Sequence, residues 1–302
     1  MSSTILLHLG AHKTGTTYIQ QTLAKNIPAL RSQDVGFARL KRARSTVTKA
    51  GNRRAPRLAA NARELLDETA PKCSRLILSD ENLAGGLYQL FNGGRLYSNM
   101  EERLQYLRTE ILREKTVRVF FCIRRFDEFI PSAHAEVIKH RPFFSLNDIA
   151  ISDFDRVSWV PVLQSIANVF GAANVTAWDF SQFKTSPSAV CSLISGVDES
   201  VLTCEKGVVR KGFSQKTMDA LEALRPLVGD EDLKLLMGQL SNAFPSGGGE
   251  PSYQPLSADL RQRLADRYAQ DLADLQKLGI HWWTGAQPVA ATTEPVLAKA
   301  AS

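Results

Sequence analysis

The chain has 302 residues, 44% hydrophobic and 23% charged, with a net charge of +6. This is the composition of a soluble globular protein of one large domain or one domain with lobes, and no apolar stretch approaches the roughly 18 residues that span a bilayer. The positive balance favours anionic ligands, though only weakly.

The first apolar run, Ile5–Leu9, is of strand length and too short for a signal peptide. It feeds Gly10-Ala11-His12-Lys13-Thr14-Gly15-Thr16-Thr17 and then a helix over Thr17–Lys25. A strand that turns directly into a helix leaves several backbone N–H groups unpaired at the positive end of the helix dipole. With Lys13 added, the stretch reads as a phosphate-binding loop. A Walker A loop would carry its lysine immediately after the second glycine. Here that place is Thr16, and the lysine has moved inside the loop.

Val35–Phe37 reads as a short second strand. From Val35 to Arg63 there is no acidic residue, whereas Arg39, Lys41, Arg42, Arg44, Lys49, Arg53, Arg54, Arg57 and Arg63 are basic. This reads as a mobile basic segment, either a solvated loop or a rim that attracts an anionic acceptor or cofactor. It lacks the interleaved aromatics of a nucleic-acid surface, and no nucleic-acid partner is expected. Leu58–Glu68 has helical periodicity.

Arg75–Ser79 and Val117–Ile123 are continuous apolar runs of the kind found in parallel strands buried on both faces. The first ends in Asp80-Glu81-Asn82, the second in Arg124-Arg125. Helices are predicted over Asn99–Glu114, Phe126–Lys139 and Val157–Phe170, and a further strand over Asn174–Trp178. The remainder reads as helical, over Pro187–Ser195, Ser214–Val228, Asp230–Ala243 and Ser257–Leu278, with a linker at Pro245–Pro255. The alternation predicts an α/β fold with a central parallel sheet, helices on both faces and a helical C-terminal portion. The expected organisation is a single domain over residues 1–284 and a disordered tail over 285–302.

Ligands of such sheets bind at the carboxyl ends of the strands. Arg124 is followed eight residues later by Ser132, which places the hydroxyl about two turns into the next helix, facing back toward the strand end. An arginine fork with a hydroxyl suits a phosphate. The minor alternative for Arg124 on its own is one half of a surface ion pair.

Lys13-Thr14-Gly15-Thr16-Thr17 resembles the 5′-phosphosulfate loop of sulfotransferases that use 3′-phosphoadenosine 5′-phosphosulfate (PAPS). Arg124 with Ser132 resembles the second signature of that family, which binds the 3′-phosphate. Arg125-Phe126 departs from the usual turn. Arg210-Lys211-Gly212 resembles a third segment that grips the same phosphate, and reads equally as a basic turn before a Ser214 helix cap. The resemblance is strongest to bacterial sulfotransferases acting on carbohydrates. It implies a P-loop NTPase-like three-layer fold and transfer of the sulfuryl group from PAPS to a hydroxyl of a glycan or glycolipid acceptor.

The resemblance further implies that Lys13 serves the leaving oxygen, that Thr14, Gly15, Thr16 and Thr17 hold the 5′-phosphosulfate, and that no metal is required. A strand-end His or Glu would be the base. Glu81 is the expected one, with Asp80 the near alternative and His12 ranked below; His8 reads as a core residue. No His/Cys cluster has metal-ligand spacing. Cys73, Cys122, Cys191 and Cys204 are scattered and read as reduced thiols of a cytoplasmic protein. A P-loop kinase of a small metabolite, and a catalytically silent nucleotide- or acidic-glycan-binding protein, are the alternative readings.

Overall fold

The computed structural model describes residues 3–69, 72–205, 212–247 and 249–285. Six strands form one sheet: β1 (Thr4–His8), β2 (Val35–Phe37), β3 (Arg75–Ser79), β4 (Val117–Ile123), β5 (Val175–Asp179) and β6 (His281–Trp282). Their order is β2-β3-β1-β4-β5-β6, and every pairing is parallel. β1 is therefore central, and its carboxyl end lies between those of β3 and β4.

Side chains alternate across a strand, so each strand feeds two cores. Ile5, Leu7, Val119 and Phe121 face one core with the helices Pro56–Thr69, Met100–Tyr106, Phe126–Val137, Val160–Phe170 and Ala258–Leu275. Leu6, Ile77, Phe120, Cys122 and Trp178 face the other, under the helices Thr16–Lys25 and Pro187–Ser195. This is a three-layer α/β architecture with a helical C-terminal portion. A satellite cluster joins Met218, Leu221, Leu233 and Met237 of the C-terminal helices to Ala135 and Ile138.

Two expectations need correction. The basic segment is folded, with Leu40–Ala43, Arg44–Thr48 and Lys49–Arg53 forming one helical run whose middle turn is π-helical. Ala43, Val47, Ala50 and Gly51 supply a buried face, and small residues let that run lie close to the core. Pro245–Pro255 is not a free linker. Bridges pair Phe213 with Pro245 and Ser214 with Ser252, and the Tyr253 hydroxyl bonds His134 at 3.0 Å. β6, absent from the sequence reading, extends the sheet beside β5, and the Trp283 amide continues it onto the Ala177 carbonyl. Gly285, placed in the expected tail, is described, and a Cβ there would lie 2.6 Å from Gln182 Oε1. The rest of that tail, residues 286–302, lies outside the described residues. Among the described residues no helix is long and apolar enough to cross a membrane.

Candidate functional site

The loop after β1 keeps pairing with β4 before it turns. The Leu9 and Ala11 amides donate to the Phe120 and Cys122 carbonyls at 3.1 and 3.3 Å. The turn itself needs two left-handed residues, Lys13 at φ 63° and Gly15 at φ 84°. The buried Thr14 hydroxyl closes it by donating to the Ala11 carbonyl at 2.5 Å. Glycine is required at position 15 for a second reason: a Cβ there would stand 2.4 Å from Cζ of Phe183. The helix Thr16–Lys25 then begins with neither a side-chain cap nor an acidic residue in its first turn. Its leading amides and its dipole are left for a ligand anion.

Two cations converge on this loop. Lys13 Nζ lies 3.2 Å from Glu136 Oε2, which also takes Lys139 at 3.2 Å. Arg124, at the end of β4, donates from Nη1 to the Lys13 carbonyl at 2.8 Å and from Nε to Glu128 Oε2 at 3.3 Å. Its guanidinium lies 4.7 Å from the centre of the Phe180 ring, and its own carbonyl accepts from Trp159 Nε1 at 2.9 Å. Trp159 is held in turn by Asp271, which accepts from the Trp159 amide at 2.6 Å. Ser132 is partly buried on the helix Phe126–Val137. It lies four residues after Glu128 and four before Glu136, on one stripe of that helix.

The Lys13–Glu136 pair is lopsided. Burial pushes the Glu136 carboxyl up, but Lys13 and Lys139 outweigh it and hold it at about 2. Burial lowers Lys13, and Glu136 returns only part of that loss against the neighbouring Lys139 and Arg124 charges. The carboxylate is the stabilised partner; the ammonium is held at a cost. Arg124 is likewise lowered by burial and partly restored by Glu128.

The β3 end carries the second half of the site. Asp80 is fully buried and accepts five hydrogen bonds: two from Arg44 at 3.1 and 2.7 Å, one from Thr48 at 2.7 Å, and two from the Asn82 amide and side chain at 3.1 and 3.0 Å. Burial raises its carboxyl, yet these donors hold it below its ordinary value. Asp80 is thus an anchor for the basic helical run, and its lone pairs are occupied. Glu81 is less enclosed. Its Oε2 accepts from Gln20 Nε2 at 3.0 Å, and its Oε1 lies 3.4 Å from Arg44 Nη2.

His12 joins the two halves. Its backbone N–H donates to the Tyr97 hydroxyl at 3.0 Å, which leaves that hydroxyl's proton for His12 Nδ1 at 3.1 Å. Asn82 Nδ2 donates to Asp80, so Asn82 Oδ1 faces His12 Nε2 at 3.3 Å. Read as a network, these bonds fix a neutral imidazole with its proton on Nε2 and no free lone pair. Burial lowers the His12 pKa, opposed by Glu81, Asn82, Asp80 and Glu136. Tyr97 is held at φ 50°, an unusual backbone for a bulky residue. His8 is only half satisfied as a core residue: Nδ1 meets the Ser79 hydroxyl at 2.8 Å, Nε2 has no partner, and burial lowers its pKa to about 3.

The structure thus gathers Lys13, Thr14, Gly15, Thr16, Thr17 and Arg124 at the loop, places Ser132 on the helix that faces it, and sets Glu81 beside Gln20 of the loop's own helix. Arg210 and Lys211 lie outside the described residues; Gly212 is exposed, and the adjacent Ser214 caps its helix by accepting from the Thr217 amide at 3.1 Å. Glu136, Glu128 and Tyr97 were missed from sequence. Only the first two carried a signal, their four-residue spacing from Ser132. No protein-family model, curated protein or solved structure matches the chain.

Proposed function

We propose that the chain is a sulfotransferase that moves the sulfuryl group of PAPS to a hydroxyl of a carbohydrate or glycolipid acceptor. One observation carries the reading: the loop lysine and the β4-terminal arginine share one cradle, joined by the 2.8 Å bond from Arg124 to the Lys13 carbonyl. A donor carrying two separate phosphate groups needs two cationic points of this kind, one at the helix start and one beside it. Glu136 and Glu128 now occupy those cations as anionic groups of a ligand would.

In the reaction, a bond forms from the acceptor oxygen to sulfur while the bond from sulfur to the bridging phosphate oxygen breaks, and the electron pair leaves with that phosphate. Lys13 stabilises the charge growing on the leaving oxygen, and the amides of Gly15 to Thr17 hold the 5′-phosphate. One preorganised donor of this sort is worth roughly 10² to 10³ in rate. Arg124 and Ser132 hold the 3′-phosphate. Glu81 takes the acceptor proton on Oε1, the oxygen with only the long Arg44 contact. Asp80 and His12 are the weaker candidates because their lone pairs are already used.

Thermal denaturation with added nucleotides tests the reading. Adenosine 3′,5′-bisphosphate without magnesium is expected to raise the melting temperature more than ATP does, and Arg124→Ala to reduce that shift. Glu81→Gln is expected to keep the shift and lose transfer. A shift from Mg-ATP with none from the bisphosphate would sink the proposal in favour of a kinase.

A further inference from the structure

The helical run Leu40–Arg53 has a one-sided charge. Three basic residues of its neighbourhood are used internally: Arg42 meets Glu68 at 2.6 Å, Arg44 meets Asp80 at 2.7 Å, and Arg54 meets Glu102 at 2.6 Å. Arg39, Lys41, Lys49, Arg53 and Arg57 are exposed and make no ion pair with the described residues. Unpaired like charges on one short run repel each other, and nothing in the packing demands them, since the buried face is Ala43, Val47 and Ala50.

The run is also fixed in direction. Its π-helical turn brings Arg44 and Thr48 together onto the buried Asp80 carboxylate, and the same Arg44 reaches Glu81 at 3.4 Å. One end of the cationic face therefore sits beside the candidate base. The same N-terminal end of the run, through Arg39 and Arg42, borders a cavity of about 1020 Å³ along the edge of β2. Lys25, Arg31, Arg39, Arg42 and Lys72 line that cavity, against one acidic residue, Glu68. The cavity is remote from the phosphate loop: it takes in the C-terminal end of the helix Thr16–Lys25, whose N-terminal end carries the loop.

We infer that the acceptor is an extended anionic oligosaccharide, bearing carboxylate or sulfate groups, which lies in the β2-edge cavity and passes over the N-terminal end of the run, from Arg39 to Arg44, so that one hydroxyl reaches Glu81. This deepens the proposed function and rests on it for the role of Glu81; the binding surface itself does not depend on PAPS. A glycan is favoured over a nucleic acid because Phe37 is the one aromatic residue among those lining the cavity, and stacking platforms are what single-stranded nucleic acids require. Exposed charges of this kind steer an anionic chain from solution, with an attraction that salt screens.

The test is binding of three fluorescent probes to the full chain: a uronate-only octasaccharide, a sulfated octasaccharide and a neutral dextran octasaccharide, with an oligodeoxythymidylate of matched charge as a fourth. At least one anionic octasaccharide is expected to bind ten times or more tighter than dextran, and to weaken at least tenfold between about 50 and 500 mM salt. Which of the two binds tighter distinguishes carboxylate from sulfate recognition. The triple variant Arg31→Glu/Arg39→Glu/Lys41→Glu is expected to lose at least tenfold while keeping its melting temperature and its response to adenosine 3′,5′-bisphosphate. The charge-neutral triple variant with Gln at these positions should fall between. Equal affinity for dextran and both anionic probes, unchanged binding in the Glu variant, or tighter binding of the oligodeoxythymidylate would overturn the inference. Loss of the bisphosphate response with oligosaccharide binding intact would overturn the cofactor assignment instead.

Discussion

Glu136 is the residue whose removal most sharply separates stability from ligand binding. Its carboxyl is held at about 2, from an ordinary value of 4.5. A depression of this size corresponds to about 3 kcal/mol of folded-state stabilisation as an upper limit. The burial cost carried by Lys13 brings the net value of the pair to about 1–3 kcal/mol. Because the folded value is depressed, the contribution is present above pH 4.5 and is lost as pH falls toward 2. Glu136→Gln should therefore lower the melting temperature at pH 7 by about 2–8 °C, and the gap to the unaltered protein should close between pH 5 and 2. The same change releases Lys13 from its competitor. Affinity for adenosine 3′,5′-bisphosphate, measured by calorimetry at pH 7, should rise about tenfold, or about 1.4 kcal/mol. A variant that is less stable yet binds the anion more tightly is the signature of a carboxylate that occupies the ligand's place. Weaker or unchanged bisphosphate binding, or an unaltered stability profile between pH 5 and 2, would refute it.

Three further outcomes are expected. Asp80→Asn should cost about 1–3 kcal/mol, since the buried bonds from Arg44 and Thr48 lose their charged acceptor and Arg44 keeps only the long Glu81 contact, and hydrogen exchange should accelerate across Leu40–Arg53; acceleration spread evenly over the chain would show that the anchor is not local. Tyr97→Phe removes the donor to His12 Nδ1 and the acceptor of its amide, so nitrogen NMR should show the imidazole taking up a proton at higher pH than in the unaltered protein, with stability lower by about 1–3 kcal/mol. Gly15→Ala should destabilise the fold and abolish bisphosphate binding. Adding Phe183→Ala should recover part of the stability by removing the 2.4 Å clash but not the strain of φ 84°, and full recovery would mean that the backbone angle is unimportant.

β1, β3 and β4 were legible because strands buried on both faces leave unbroken apolar runs. The loop was legible because a lysine between two glycines has no structural necessity. What failed was the inference from charge to mobility: nine basic residues hid the periodic Ala43, Val47 and Ala50 that bury the run. The partners of Asp80 were not legible, because Arg44 and Thr48 come from a segment 36 and 32 residues away that was read as mobile. Tyr97 carried no signal at all, since its hydroxyl matters only through the fold that brings it to His12. β6 is two residues long, and no period can be read from two residues.

That short strand bears on how the chain is made. β5 ends at Asp179, and its outer neighbour begins at His281. During synthesis at about 5–20 residues per second, the interval between them lasts about 5–20 s. Throughout that time β5 presents an open row of backbone groups, a template for a neighbouring nascent chain. Crowded polysomes are therefore where this protein should aggregate, and slowing initiation should raise its soluble yield more than slowing elongation.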